Sequence, residues 1–231
     1  MIYINQKEKE LLDLYRNIEF SKNRICQKCR NNTPSLSYPV GAWFVGNHFY
    51  DHEKRLLFVG KNARGEPGEL CGDFLCAFNT GRNLWADKKW PYWSYTRAIT
   101  EAVYGTDSAE NIAFTNLVKC NDSRGKDTTA EYTKNCCVDE LEIVYNEIKI
   151  IEPTHSVFYT SDKYDKNISR IFDKFTVEKN EKVSVGKKKM PWLEAEGIIA
   201  GKQIHILRIG HPERMKKIDY VDCVSEWFNR N

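Results

Sequence analysis

The stretch Arg55-Leu56-Leu57-Phe58-Val59-Gly60 is a short apolar run that leads directly into a polar loop, Lys61 to Gly68. An apolar run of this length that ends at glycine is typical of a buried strand. Three later stretches have the same character: Asn111–Val118, Ser156–Tyr159 and Gln203–Ile209. The sequence therefore predicts a central sheet of four strands.

Helical patterns separate these strands along the chain. The predicted helices are Lys7–Phe20, Trp93–Tyr104, Thr129–Ile150, Lys163–Phe175 and Asp219–Phe228. Strands that alternate with helices indicate a mostly parallel, doubly wound α/β sheet. The charged stretch Val177–Lys189 has no clear period, and we predict that it is an excursion from the core. No repeat, linker or low-complexity tract divides the chain, so we predict that residues 1–231 form one domain.

Polar loops follow three of the predicted strands, after Gly60, Phe114 and Ile209. In open α/β sheets, ligands bind at the carboxyl ends of the strands. We therefore expect the functional site at this edge, although the rule holds for many activities and does not select one.

The composition excludes some classes of protein. The chain has 231 residues, a net charge of +3 and 41% hydrophobic residues. It contains no long apolar run to cross a membrane and no apolar signal-peptide core. We expect a cytoplasmic monomer with no membrane partner. A weakly basic balance permits nucleic-acid binding only through a local patch, and no P-loop is present.

Eight cysteines in a chain without an export signal require an explanation other than disulfides. Two residues lie between Cys26 and Cys29, and fifteen lie between the later cysteines Cys120 and Cys136. Four thiolates in such a set can bind one metal centre. Zinc and unrelated core cysteines are the alternatives. Cys137 competes with Cys136, but it shares the apolar stripe of its predicted helix with Leu141, Val144 and Ile148. Three other cysteines have no partner at ligand spacing, and we interpret them as structural: Cys71, Cys76 and Cys223.

This cysteine set resembles that of the iron–sulfur (family 4 type) uracil-DNA glycosylases. Three further motifs are similar to that family: Leu57-Phe58-Val59-Gly60, Asn116-Leu117-Val118-Lys119-Cys120 and His211-Pro212. Their order and spacing match from about residue 7 to residue 228. The resemblance implies a three-layer α/β/α sandwich, a [4Fe-4S] cluster held by Cys26, Cys29, Cys120 and Cys136, and DNA as the partner.

Two loops depart from the family pattern. The first loop reads Gly60-Lys61-Asn62-Ala63-Arg64-Gly65, where that family has Gly-Glu-Ala-Pro-Gly. An Asn at this position is closer to the mismatch-specific and single-strand-selective branches of the superfamily. The mismatch-specific branch is also similar in the segment Phe78-Asn79-Thr80-Gly81-Arg82-Asn83-Leu84-Trp85. The excised base therefore differs between interpretations: uracil, or another modified or bulky pyrimidine such as one in phage DNA.

The resemblance and the chemistry of base excision together assign roles to individual residues. Asn62 would orient the attacking water, and His211 would stabilise the departing base. Asn116 would read the edge of the flipped pyrimidine, because an amide offers a donor beside an acceptor. Phe78, with Phe74 in reserve, would stack on the base.

Contacts to DNA are expected from basic residues near the proposed catalytic histidine. The candidates are Arg64, Arg214, Lys216 and Lys217, with Met215 as a wedge that fills the gap left by the flipped base. Lys187 to Lys189 form a second basic run. An alternative of a different kind is a DNA-binding module that keeps the fold and its metal but has lost catalysis.

Overall fold

A computed structural model of the chain describes residues 4–36, 39–62, 81–86, 91–120, 129–212 and 215–231. The strands in this part of the chain are β1 (Phe44–Val45), β2 (Leu56–Asn62), β3 (Ala113–Val118), β4 (His155–Tyr159), β5 (Lys174–Val185), β6 (Lys188–Ile199) and β7 (Lys202–Ile209). These seven strands form one mixed sheet in the order β1-β3-β2-β4-β7-β6-β5.

The four predicted strands form the parallel centre of this sheet. β2 pairs in parallel with β3 and with β4, and β4 pairs in parallel with β7. β1 adds antiparallel to β3 at one edge, and the β5–β6 hairpin adds antiparallel to β7 at the other. The protein is therefore a mixed α/β fold, as the alternation of strands and helices predicted.

Helices cover both faces of the sheet. They are α1 (Gln6–Ile18), α2 (Arg24–Asn32), α3 (residues 81–86), α4 (Pro91–Tyr104), α5 (Glu131–Asn135), α6 (Ile143–Ile151), α7 (Asp165–Ser169) and α8 (Lys217–Arg230). Leu57 and Val59 of β2 pack in the cluster that includes residues of α1 and α6. Leu56 and Phe58 pack in the cluster that includes residues of α4 and α8. Alternate residues of one buried strand thus meet opposite helical layers.

The sequence-based interpretation of Val177–Lys189 as an excursion from the core was wrong. These residues belong to β5 and to the start of β6, and the hairpin continues the main sheet beyond β7. β5 is an edge strand whose side chains are almost all exposed. An exposed edge strand has no apolar alternation, so the pattern that reveals buried strands is missing here.

The predicted helix Thr129–Ile150 is broken into two helices, α5 and α6. A wide turn of π-helix, Cys136–Glu140, lies between them, and the Leu141 amide donates to the Cys136 carbonyl at 3.0 Å. The predicted helix Lys163–Phe175 was also too long, because α7 ends at Ser169 and Phe175 already lies in β5. The sequence predicts a turn at Cys26 and Cys29 after the first helix, but both residues lie within α2.

Of the helices that the structure describes, none is long and apolar enough to span a membrane.

Candidate functional site

A row of residues crosses the carboxyl edge of the parallel strands. Asn116 of β3 pairs with Gly60 of β2, Gly60 pairs with Tyr159 of β4, and Tyr159 pairs with Ile209 of β7. Asn62 lies two residues beyond Gly60, and His211 lies two residues beyond Ile209. Neighbouring strands are about 4.8 Å apart. The fold therefore brings Asn62, Asn116 and His211 to one edge of the sheet from positions far apart in the chain.

Gly60 makes room for the side chain of Asn116. A Cβ added to Gly60 would collide with Asn116 Oδ1, so the amide lies against the β2 backbone. Asn116 is buried, and its Nδ2 has no hydrogen-bond partner among the residues that the structure describes. A buried amide donor without a partner costs free energy, and a ligand that accepts a hydrogen bond would recover that cost.

Tyr92, near the start of α4, is a site residue that the sequence reasoning missed. Its ring stacks on the His211 ring, with centroids 5.2 Å apart and an interplanar angle of 30°. Its hydroxyl is buried and has no partner within the described ranges, and a Cβ on Gly60 would lie 3.3 Å from it. Burial, followed by the neighbouring Tyr159, raises the pKa of Tyr92 well above its usual value. The group is therefore a neutral hydroxyl donor between His211 and Asn116.

No sequence signal distinguished Tyr92 from its neighbours. It belongs to an aromatic run with Trp90, Trp93 and Tyr95, and most aromatic side chains in such a run pack in the core. Trp93 does so: it is buried and packs against Phe114 with a centroid distance of 4.7 Å.

Four of the predicted site residues lie outside the described residues: Phe74, Phe78, Arg64 and Arg214. Asn62 ends β2, and Asn62 and His211 are both partly exposed at the carboxyl edge. The stacking aromatic therefore stays a prediction.

Three further DNA-contact candidates lie just beyond His211. Met215 packs, half-buried, against the cluster around α8, and its carbonyl accepts a hydrogen bond from Tyr95 Oη at 2.6 Å. Lys216 and Lys217 are exposed at the start of α8. Lys216 Nζ is 2.9 Å from Asp219 Oδ1, and Lys217 Nζ donates to Ser94 Oγ at 2.8 Å. Both cations face solvent next to the polar edge of the sheet.

The second candidate site is a cysteine cavity that the helices α2 and α5 close over the end of β3. Its lining includes the four predicted ligands and Cys137: Cys26, Cys29, Cys120, Cys136 and Cys137. Its empty space, including the part open to solvent, is about 390 Å³. The π-helical turn begins at Cys136, and both Cys136 and Cys137 line the cavity. Sequence periodicity assigned Cys137 to the core alone, and the structure also brings it to this cavity.

The thiols of Cys26, Cys120 and Cys136 are held neutral. Burial raises the pKa of Cys26 to about 11 and the pKa of Cys136 to about 12, and neighbouring thiols add to both effects. Burial also raises the pKa of Cys120, again with contributions from nearby cysteines. Within the described part of the chain, no three His, Cys, Asp or Glu side chains are already arranged to hold a metal ion.

The residue types nevertheless fit a thiolate-bound metal centre. Iron–sulfur clusters and zinc are both bound by deprotonated cysteines, and a bound metal deprotonates the thiols that coordinate it. Arg30 and Lys119 also line the cavity. They supply positive charge beside the sulfurs, which would offset part of the negative charge of four thiolates.

A buried polar network joins the two sites. Lys119, next to Cys120, donates to the Asn116 carbonyl at 2.7 Å and to Glu147 Oε2 at 2.6 Å. Thr115 and Tyr15 donate to the same carboxylate, at 2.9 and 2.5 Å. Burial lowers the pKa of Lys119, and the Glu147 carboxylate opposes this. One ion pair thus fixes β3 between the polar edge and the cysteine cavity.

Comparison with known proteins adds no assignment. No family model matches the chain, and no curated protein matches it significantly.

Proposed function

We propose that this protein is a monofunctional DNA glycosylase that hydrolyses the N-glycosidic bond of a flipped pyrimidine, with uracil as the first candidate. The observation that carries the proposal is the polar row at the carboxyl edge of the sheet. Asn62 lies 54 residues before Asn116 in the sequence, and Asn116 lies 95 residues before His211. Beside this common edge lie two buried donors that have no partner among the described residues, and together they support a pocket for a polar planar ligand.

Each group has a chemical task in this reaction. Water attacks the sugar carbon as the bond to the base nitrogen breaks, the base departs as an anion, and the proton that the water loses neutralises the released base. Asn62 Oδ1 accepts a hydrogen bond from the water and orients it. A ring nitrogen of His211 donates to the developing negative charge on the base oxygen. Asn116 pairs with the base edge through its amide.

Tyr92 supports this assignment from the α4 side. Its ring fixes the plane of the His211 imidazole, and its hydroxyl faces the space above Gly60 beside the Asn116 amide. A neutral phenol at that position can donate to a base oxygen without adding charge to the pocket.

The proposal includes a [4Fe-4S] cluster held by Cys26, Cys29, Cys120 and Cys136. Hydrolysis requires no electron transfer, so the cluster would be structural. Lys119 supports this role, because it joins the residue next to Cys120 to the Asn116 carbonyl. The cluster would brace α2 and the end of β3, and with them the base-reading amide.

The finer features of the fold also belong to this proposal. The helices on both faces of the sheet support a three-layer α/β/α sandwich. We propose that the whole chain forms this sandwich as one domain. The antiparallel hairpin β5–β6 is an addition to the four-stranded sheet that the resemblance implies.

The test is a panel of oligonucleotides, single-stranded and duplex, that carry uracil, thymine opposite guanine, or bulky 5-substituted cytosines. Base release is followed by alkaline cleavage of the abasic product. Asn62→Ala and His211→Ala should each reduce the rate by about 10²–10³-fold while DNA affinity changes little.

Each outcome assigns or removes the function. Release of uracil that depends on both residues supports the leading assignment. Release of a bulky cytosine alone would change the assigned substrate but leave the assignment of the active-site residues unchanged. No release of any base, or release that survives both substitutions, contradicts the assignment and favours a DNA-binding module without catalysis.

Iron and sulfide analysis of protein purified without oxygen tests the cluster. A brown protein with about four irons per chain would support it. One tightly bound zinc would replace the cluster with a different structural metal, and a protein without either metal would leave the cysteines as packing residues.

A further inference from the structure

The hairpin between β5 and β6 extends past the end of the parallel sheet. The last pair between β6 and β7 is Trp192 with Ile209, whereas β5 and β6 stay paired from there up to Val185 and Lys188. Four residues of β6 therefore continue beyond β7, roughly 13 Å at 3.3 Å per residue. We call residues 182–191 the hairpin tip. Because β5 runs parallel to β7, the tip lies at the same edge as His211.

The hairpin tip is packed down rather than projecting freely into solvent. Val185 and Met190 are buried in the cluster that contains Tyr220 of α8. A Cβ on Gly210, the residue before His211, would lie 3.6 Å from Met190 Cγ. The underside of the tip thus rests on the backbone that leads to His211.

The turn at the end of the hairpin is fitted to the start of α8. Gly186 has a φ of 58°, and a Cβ there would lie 2.6 Å from Asp219 Oδ2 and 3.8 Å from Lys216 Cβ. A two-residue hairpin turn with glycine at its first position suits the twist of the strands. The basic runs at residues 187–189 and 216–217 are therefore neighbours, although 26 residues separate them in the sequence.

The surface formed by these runs is strongly basic. Its charged groups are six exposed lysines and one aspartate: Lys182, Lys187, Lys188, Lys189, Lys216, Lys217 and Asp219. Asp219 pairs with Lys216, and Lys189 Nζ donates to Ser184 Oγ at 2.8 Å. A hydroxyl partner leaves the charge of Lys189 in place, and the lysines of this group outnumber its acids by six to one.

We infer that the hairpin tip and the first turn of α8 form one phosphate-binding surface that holds the DNA backbone beside the base pocket. The inference rests on the proposed function for the identity of the partner. The lysines of this surface have only one acid among them. Their positive charges complement the negative charges that repeat along a phosphodiester chain. A two-stranded β-ribbon is also narrow enough to lie along a DNA groove.

The test compares two triple variants of the full-length protein that lose the same charge. The tip variant is Lys187→Gln, Lys188→Gln, Lys189→Gln. The control variant is Lys149→Gln, Lys174→Gln, Lys202→Gln, and it changes exposed lysines away from the tip. Thermal melting checks that both variants fold.

Fluorescence anisotropy at several salt concentrations gives Kd for a labelled duplex without any target base, and for one of its strands alone. The tip variant should bind roughly tenfold more weakly, and its salt dependence should be shallower by about 2 to 3 in slope. The control variant should stay within about twofold of wild type. A loss of affinity for the duplex alone would identify double-stranded DNA as the ligand. A loss of affinity for the single strand alone would identify single-stranded DNA.

Equal losses in both variants would overturn the inference, since net charge alone would then explain binding. No loss in the tip variant, or no DNA binding by the wild type, would overturn it as well. The failure of the proposed function is separate, because these oligonucleotides require no catalysis. If DNA binding depends on the tip lysines but no base is released, the glycosylase assignment is contradicted and the phosphate-binding surface is retained. If a base is released but DNA binding does not depend on the tip lysines, only the inference of a phosphate-binding surface is contradicted.

Discussion

Two regions of β3 differ in what made them recognisable. Cys120, two residues beyond its end, belongs to a cavity whose sulfurs were predicted from the spacing of the cysteines in the sequence. Asn116, four residues earlier, belongs to a polar edge that strand register assembles from single residues. Tyr92 of that edge carried no signal at all. Cysteine is an uncommon residue type, so a set of cysteines at ligand spacing can be recognised in a sequence. A pocket made of common residue types can be recognised only in the folded structure.

The two regions also differ in electrostatics. In the cysteine cavity, burial and the neighbouring sulfurs raise the pKa values of Cys26 and Cys136. The polar edge instead contains donors that lack partners, Asn116 Nδ2 and Tyr92 Oη, among the described residues. A bound metal cation would stabilise the cysteine cavity, whereas a ligand with a hydrogen-bond acceptor would stabilise the polar edge.

The strongest test of this comparison breaks the ion pair that joins the two regions. Lys119→Met should lower the free energy of unfolding by about 3–5 kcal/mol, because Glu147 would stay as a buried charge without its partner. Denaturant unfolding of the purified protein measures this. The control Lys202→Met breaks an exposed pair with Glu152 and should cost less than about 1 kcal/mol. Equal losses would show that the buried pair does not brace β3. Adding Glu147→Gln to Lys119→Met should recover part of the loss.

The second test separates the two cysteines of the π-helical turn. Cys136→Ser should reduce bound iron from about four per chain to a small fraction, whereas Cys137→Ser should retain most of it. The reason is that Cys136 shares a side-chain hydrogen bond with Cys29, while Cys137 accepts one from the Lys119 backbone amide. Iron and sulfide analysis of both variants measures this. The reverse result would transfer the ligand role to Cys137.

The third test displaces Asn116 without changing it. Gly60→Ala should reduce the rate of base release by about 100-fold, because the added methyl group collides with the Asn116 amide and shifts it. Single-turnover rates at saturating protein measure the loss. If the glycine acts through Asn116, then Gly60→Ala in an Asn116→Ala background should cost almost nothing further. Additive losses would instead place the effect of Gly60 elsewhere.

The smallest expected effect is that of Tyr92→Phe, which removes one hydroxyl and keeps the stacked ring. Base release should fall about tenfold, the equivalent of one hydrogen bond. The free energy of unfolding should stay the same or rise, because the substitution removes a buried hydroxyl that has no partner in the described part of the chain. Tyr145→Phe, on a helix of the opposite face, is the control and should not change the rate. A destabilised Tyr92→Phe with a normal rate would assign Tyr92 to packing.

Sequence periodicity succeeded where strands and helices are buried on a regular pattern. The four parallel strands were predicted because both of their faces are apolar. Helix α4 was predicted within two residues of its observed start. The π-helical break at Cys136–Glu140 was not, because the apolar spacing continues through it into α6. β5 was missed because edge strands with exposed side chains have a surface composition.

The sequence by itself determined the fold class, the parallel centre of the sheet, the set of candidate sulfur ligands and the three polar residues at strand ends. These follow from local pattern and from residue chemistry, both of which are present along the chain. Only the tertiary structure decided that Tyr92 lies on His211, that Lys119 joins the two sites, and that the hairpin tip meets the start of α8. Each of these is a contact between distant segments, and register, helix packing and the close approach at Gly60 and Gly186 determine it.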